Sequence, residues 1–399
     1  MRPIGNIQAE ARRLGSGSGT TRRTGGGAGS EARATLHGVQ LLRGCSALLV
    51  VLAHANLLMR HERYFGRSPF QLTDSGLFGV ALFFVVSGFI IALVSLGPDL
   101  SPRMGVAEFA RRRFVRIVPF LWLCVLGYNV LVAAGTGAVE WTPTLRAVLV
   151  WPVGELKPNV VWSLRHEFLF YAVFALTMLG ARRRLWPLAL WCAAPLICWP
   201  LIRLVGTEPS FELGGWAELV RVVFLGANSG ANLQFGAGLF LGLLAVRGSP
   251  LAAPRRIVLG WTVLAVVGAA AAVEWLLLPI GLPRTVAWTL LAAPAAWLAV
   301  VGTGGPAWLR RAGDALGDAS FSLYLVHNAV LMVFLEGARR VPDVPPVPFF
   351  AAAVGAAVIA SLLAHRFVEK PLIAALAGGC RLVPWSGPER FGRDLSGPR

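Results

Sequence analysis

Charge is scarce in this 399-residue sequence. Asp, Glu, Lys and Arg together make up 14%, against 56% hydrophobic residues and a mean hydropathy of +0.64. Soluble globular chains carry about a quarter charged residues, so that class is excluded and an integral membrane protein is implied. Lysine is nearly absent: apart from Lys157 and Lys370 every base is arginine, gathered in short stretches between apolar runs. That pattern reads as orientation on a bilayer rather than as a nucleic-acid surface. Cysteine is sparse as well. Cys45, Cys124, Cys192 and Cys198 fall in apolar spans and Cys380 in the tail, without metal-ligand spacing, so neither a metal site nor a disulfide framework is expected. No internal repeat supports an inverted-repeat transporter. Residues 1–35 (including RRLGSGSGTTRRTGGGAGS) hold almost no apolar side chains and predict a disordered basic cytoplasmic tail.

What the chain has in quantity is apolar runs long enough to span a membrane, which takes ~20 residues. Reading for that length predicts ten helices, at 38–59, 76–96, 114–134, 161–180, 185–206, 228–246, 257–278, 284–303, 316–336 and 346–366. The expected fold is therefore all-α, a polytopic membrane helix bundle spanning 36–372, followed by a polar cytoplasmic tail over 373–399. Between the fifth and sixth helices, WAELVRVVFLGAN reads as an interfacial or re-entrant helix. The amino tail, RRRFVR at 111–116, ARRR at 181–184, Arg247, Arg255, Arg256, the arginines at 310–311 and the carboxy tail fall on one side. The positive-inside rule places both termini in the cytoplasm of a multi-pass inner-membrane protein. Arg339 and Arg340 are the clearest exception. LAHA ends in a cleavage-like A-x-A pattern, but the preceding basic region is too long and Arg43 interrupts the apolar one, so the first helix is read as uncleaved.

Several ionisable residues sit where hydrocarbon makes them costly, which marks them as candidates for a site. Arg43 and His54 are eleven residues apart, hence on nearly one helix face and ~16 Å apart along its axis. They either pair with neighbouring helices or serve chemistry. The fourth span runs the opposite way and begins VVWSLRHEFLFY, which places Trp162, Ser163, Arg165, His166 and Glu167 at the expected depth of His54. A carboxylate beside a histidine can hold its tautomer and stabilise the imidazolium, and Glu167 is the expected partner of His54. Neutralisation of Glu167 by Arg165 is the structural alternative. His166 and Glu167 are no zinc motif, because Phe170 stands where the second histidine of H-E-x-x-H belongs. Arg111, Arg112, Arg113 and Arg116 are either plain topology signals or donors for phosphates, such as those of an acyl-CoA. Ser320, Tyr324 and His327 share a helix face, to line a cavity or to bond between helices. Gly238 and Gly242 form a GxxxG expected to serve close helix packing.

LLRGCSALLVVLAHA, LFFVVSGFII, RRFVRIVPFLW, WSLRHEFLFY, SFSLYLVHN and FVEKP follow in this order along ~36–372. Together they resemble the acyltransferase 3 family of membrane O-acyltransferases. The resemblance implies transfer of an acyl group, usually acetyl, from cytoplasmic acyl-CoA to a hydroxyl of an extracytoplasmic or membrane-associated glycan. It implies His54 as the catalytic residue with Glu167 beside it, and Arg43, Arg113 and Arg116 toward acyl-CoA. Trp162, Ser163, His166, Tyr324 and His327 are the expected substrate-binding residues. Acyl-CoA enters as co-substrate, with no permanently bound cofactor, metal or nucleic acid. Family members often carry Ser where this chain has Arg165 and a second Glu where it has Phe168. The rival reading from another class is a transporter or flippase for a lipid-linked saccharide, whose cavity also needs buried Arg, His and aromatic groups.

Overall fold

Long runs of Leu, Val, Ala and Phe satisfy their backbone internally as helices, because hydrocarbon offers no other hydrogen-bond partner. The computed structural model describes residues 26–70, 75–179, 185–205, 216–225, 230–247, 255–258, 282–304, 306–341 and 343–377. The expected helix at 257–278, the arginines at 181–184, the amino tail up to residue 25 and the residues from 378 on, Cys380 among them, fall wholly or mostly outside these ranges.

In chain order the helices are α1 (Gly26–Arg60), α2 (Ser75–Ser95), α3 (Val106–Thr136), α4 (Trp141–Val148), α5 (Trp162–Met178), α6 (Leu185–Val205), α7 (Trp216–Leu225), α8 (Ala231–Val246), α9 (Leu282–Val301), α10 (Ala307–Asp318), α11 (Ser320–Ala338), α12 (Pro346–Ala364) and α13 (Lys370–Ala377). A π-helical turn, His365–Glu369, joins α12 to α13, and the parallel strands Arg255–Val258 and Gly302–Gly304 are the only named sheet among the described residues. Among the described residues, five segments are long and apolar enough to cross a membrane: His37–Arg60, Gly76–Ser95, Val106–Gly135, Ser320–Ala338 and Pro346–Ala377. Against the ten expected spans, these five meet both criteria. Several boundaries differ from expectation: the expected span 316–336 is broken after Asp318, and α13 runs into the expected tail as far as Ala377. α1 starts at Gly26, inside the stretch expected to be a tail, and α3 starts eight residues before 114, so RRRFVR is helical. Within 206–228, where an interfacial or re-entrant helix was expected, the sequence WAELVRVVFL forms the ten-residue helix α7.

α2 and α8 make the tightest seam. A Cβ on Gly238 would lie 1.8 Å from Val85 O, and one on Gly88 2.2 Å from Phe235 O, so the two backbones touch directly. Gly238 and Gly242 thus do the close packing their spacing suggests. Beside the seam, Phe170 of α5 stacks on Phe235 of α8 with centroids 4.3 Å apart and planes 5° from parallel. α1 is held in a second glycine contact, where a Cβ on Gly317 of α10 would fall 2.2 Å from Gln40 O. On its other flank Ala47, Val51 and Met59 pack with Leu323 and Leu331 of α11 and Phe350 and Ala353 of α12. α1 and α2 are the most enclosed of the five spans, and Arg43 and His54 of α1 are both partly buried among the neighbouring helices.

Candidate active site

Helix geometry sorts the four arginines of α3. At about 100° per residue, Arg111 and Arg112 turn back to Glu108, with Nε 3.3 and 2.6 Å from its carboxylate oxygens, whereas Arg113 and Arg116 face the bundle interior. Arg43 joins them from α1. The three line a cavity of about 100 Å³ closed by α2, α5 and α11, in which Glu167 is the one carboxylate of the lining. Arg43 Nη1 donates to Gln40 Oε1 at 3.0 Å, and Gln40 Nε2 donates in turn to Asp318, so the guanidinium is steered from α10 through a neutral amide. Arg113 lies over the rings of Phe109 and Tyr171, 5.3 and 5.4 Å from their centroids, and its buried Nε has no hydrogen-bond partner. The lining groups three guanidiniums with Glu167, while Asp318 and Glu369 act on Arg43 from behind it, an arrangement whose planar donors can chemically receive an anion.

Glu167 does not pair with His54. Its carboxylate accepts from Ser87 Oγ at 3.2 Å and from Tyr171 OH, one helical turn on, and it faces the arginine cavity. Arg165 does not neutralise it either, because Arg165 Nη2 donates to Gly154 O at 2.6 Å on the far side of α5.

His54 meets His327 instead. The rings lie 5.0 Å apart between centroids, with His327 Nε2 3.4 Å from His54 Nδ1. Each histidine also places Nδ1 on the carbonyl one turn earlier, His54 on Val50 O at 2.9 Å and His327 on Leu323 O at 2.8 Å. A carbonyl only accepts, so both Nδ1 atoms carry the proton and both Nε2 atoms a lone pair. His327 Nε2 consequently receives the His54 N–H as a second acceptor, and His54 Nε2 is left as a base. His327 is fully enclosed and His54 half-buried.

Tyr324 connects this pair to the cavity. It lines the cavity, stands one turn before His327, accepts from Ser163 Oγ at 2.7 Å and donates to Val160 O at 2.8 Å. Ser163 and Tyr324 are therefore together, with Ser320 on the same wall. His166 is buried, with Nδ1 2.9 Å from Trp162 O and its ring against those of Trp162 and Phe84, beside the cavity rather than in its lining. Neither His54 nor His327 lines the cavity.

The sequence reading missed Tyr171, although its i+4 spacing from Glu167 is a visible signal. It also missed the Gln40–Asp318 link, which joins positions 278 residues apart. Glu369 of FVEKP was noted only as part of a motif. It is fully buried on the π-helical turn, accepting from Ser322 Oγ at 2.6 Å and lying 2.8 Å from His365 Nδ1, close enough to act on Arg116 and Arg43. A π turn inserted in a helix is a frequent mark of a functional site.

Residues 36–366 match the family model described as an acyltransferase domain. The exopolysaccharide production protein ExoZ of Rhizobium meliloti (strain 1021) is 29% identical over 324 residues, 75% of this chain and 90% of that protein. The acyltransferase MdmB of Streptomyces mycarofaciens is 30% identical over 178 residues, covering 40% of this chain and 45% of MdmB. No solved structure matches.

Proposed function

Because this chain belongs to the acyltransferase 3 family and is a membrane acyltransferase, we propose that it moves an acetyl group from acyl-CoA to a hydroxyl of a glycan. The observation that carries this reading is the arginine cavity ending at Tyr324, with a base-bearing histidine pair next along α11 and α1. Arg113 and Arg116 hold phosphates of the donor at one mouth, Arg43 lies along the path of the thioester arm, and Glu167 balances their charge. At the other end His54 Nε2 takes the proton of the acceptor hydroxyl as its oxygen attacks the thioester carbonyl. The C–S bond breaks, and the CoA thiolate leaves and is protonated. His327 accepts from His54 Nδ1–H, keeps Nε2 as the basic nitrogen and shares the positive charge that develops. Trp162, Ser163 and His166 border the acceptor. In this reading both termini are cytoplasmic, the arginine mouth opens to the cytoplasm of the inner membrane, and the ExoZ likeness favours an exopolysaccharide acceptor.

The test uses matched membranes containing wild type or His54→Ala at equal abundance, supplied with labelled acetyl-CoA and the host's surface glycan. Label should enter glycan with wild type and fall to background with the variant. Full labelling by the variant removes His54 from the chemistry, and export of glycan with unchanged acetyl content moves the protein to the transporter class.

A further inference from the structure

Three serines line the arginine cavity, and two of them are engaged within its own walls. Ser87 Oγ donates to Glu167 at 3.2 Å and Ser163 Oγ to Tyr324 at 2.7 Å. Ser320 is fully buried, and its Oγ makes no hydrogen bond. The reason is its place in the chain. A helical serine can return its hydroxyl to the carbonyl one turn earlier, as Ser46 does to Leu42 O and Ser361 to Ala357 O, each at 2.7 Å. Ser320 is the first residue of α11, just past the break at Ala319 that ends α10, so no carbonyl of its own helix lies a turn behind it. A buried donor left unpaired is costly, and Arg113, on the same cavity, carries the same cost at Nε. Two partnerless donors on one cavity call for a ligand that brings acceptors.

The depth of Ser320 tells which acceptor it meets. At 1.5 Å per residue, Ser320 lies ~6 Å before Tyr324 and ~10.5 Å before His327 along α11. α1 meets the end of α10 at Gly44, where a Cβ would lie 2.7 Å from Leu316 Cβ and 3.1 Å from Gly317 N, so Arg43 branches from α1 on the side of Ser320 away from His327. An extended thioester arm, at ~3.5 Å for every three bonds, places the carbonyl of its nearer amide ~5 Å from the sulfur, that of its farther amide ~9 Å and its first phosphate ~15 Å. With the sulfur at the histidine pair, the farther amide is the group that reaches Ser320, and the phosphates fall beyond it, toward the arginines. The chemistry agrees, since a neutral hydroxyl suits a neutral carbonyl and guanidinium suits phosphate.

We propose that Ser320 is a donor-binding residue whose hydroxyl donates to the carbonyl of the farther amide in the pantetheine arm of acyl-CoA. It thereby selects a donor that carries this arm over one that carries its acyl group on a phosphate or a lipid. The assignment rests on the reading of acyl-CoA as donor given above.

Displacement of labelled CoA from the full chain in phosphatidylcholine nanodiscs reads this contact without acceptor or chemistry. The competitors are unlabelled CoA, pantetheine, which keeps both amides and lacks phosphate, and N-acetylcysteamine, which keeps the nearer amide alone. Ser320→Ala should weaken CoA and pantetheine by the same ~3- to 10-fold, the range for one neutral hydrogen bond, and leave N-acetylcysteamine unchanged. Its thermal midpoint should hold or rise, because the variant deletes a buried hydroxyl that has no partner in the fold. Arg116→Ala is the converse and should weaken CoA while sparing pantetheine. Weakening of CoA alone by Ser320→Ala makes its partner a phosphate, and equal weakening of all three competitors marks a distorted cavity; either overturns the assignment, as does unchanged CoA binding. Wild type that holds CoA in discs yet moves no acetyl group to glycan refutes the transfer reading and leaves the Ser320 contact to stand or fall by displacement, whereas wild type that binds no CoA removes both.

Discussion

Arg111 and Arg116 are five residues apart in one helix and have different partners, which makes them the sharpest pair for separating topology from chemistry. Arg111 is paired with Glu108, whereas Arg116 lines the cavity with Arg43 and Glu167. Arg116→Ala should raise the KM for acetyl-CoA ~10-fold or more, as expected for loss of a charge-assisted contact, while Arg111→Ala should leave it within a factor of about two. Steady-state kinetics on matched membranes reads both. Within the histidine pair, His54→Ala should cost ~100- to 10,000-fold in kcat, the range for loss of a general base. His327→Ala should cost less, because the Val50 carbonyl still fixes the His54 tautomer. Equal losses in the two variants would instead place both rings in direct contact with the reacting atoms. Arg43, His54 and Glu167 stood out in the sequence because an ionisable residue in an apolar run is conspicuous. Their partners did not, since His54 and His327 lie 273 positions apart and spacing along the chain says nothing about contacts at that range.

At the scale of elements, the long apolar helices were legible, and of the short amphipathic ones α7 was while α4 and α10 were not. α4 and α10 have eight and twelve residues, well below a span, and read as loops by length. Yet α10 carries the glycine that lets α1 approach and the aspartate behind Arg43. Nor could hydropathy find the true start of α3, because the charged first turns of a helix look like the end of a membrane run. Glycine spacing was more informative. Gly238→Ala should destabilise the fold by about 2 kcal/mol or more, since its Cβ would meet a backbone oxygen that no side-chain rotation can move. Gly355→Ala in α12, where a Cβ would meet nothing within 4 Å, should be neutral or stabilise by roughly 0.5–1 kcal/mol through helix propensity. Midpoints from thermal unfolding in a fixed detergent compare the two; a Gly238→Ala protein as stable as wild type would mean that α2 and α8 do not meet backbone to backbone.

For the molecule as a whole, the division between enclosed and lipid-facing helices follows the division between site and shell. α1 and α2 supply Arg43, His54 and Ser87 from the interior, whereas α3 and α12 present Leu126, Val130, Ile359 and Leu363 outward, each more than half exposed. On a soluble protein such a surface would invite aggregation; against lipid tails it costs little. The proposed orientation predicts that in intact cells an impermeant maleimide labels Glu62→Cys after α1 but reaches Asp99→Cys after α2 only once the membrane is opened. Labelling of both in intact cells would reverse or break that topology. The expected sidedness of basic residues rests on local counts along the chain; which helices enclose the site was not readable that way, because burial is a property of the assembled bundle.

The glycine seam between α2 and α8 also has a bearing on biosynthesis. α2 leaves the ribosome about 150 residues before α8 does, and until then its Gly88 face has no backbone to rest on. The cavity closes later still, when α11 delivers Ser320 and Tyr324 opposite Arg43. Through most of translation the interior arginines and His54 must therefore wait in a partly built bundle, with lipid, water or a membrane chaperone as temporary company. Slowed synthesis or a stop codon anywhere before α11 should yield degraded protein rather than a smaller, weaker enzyme.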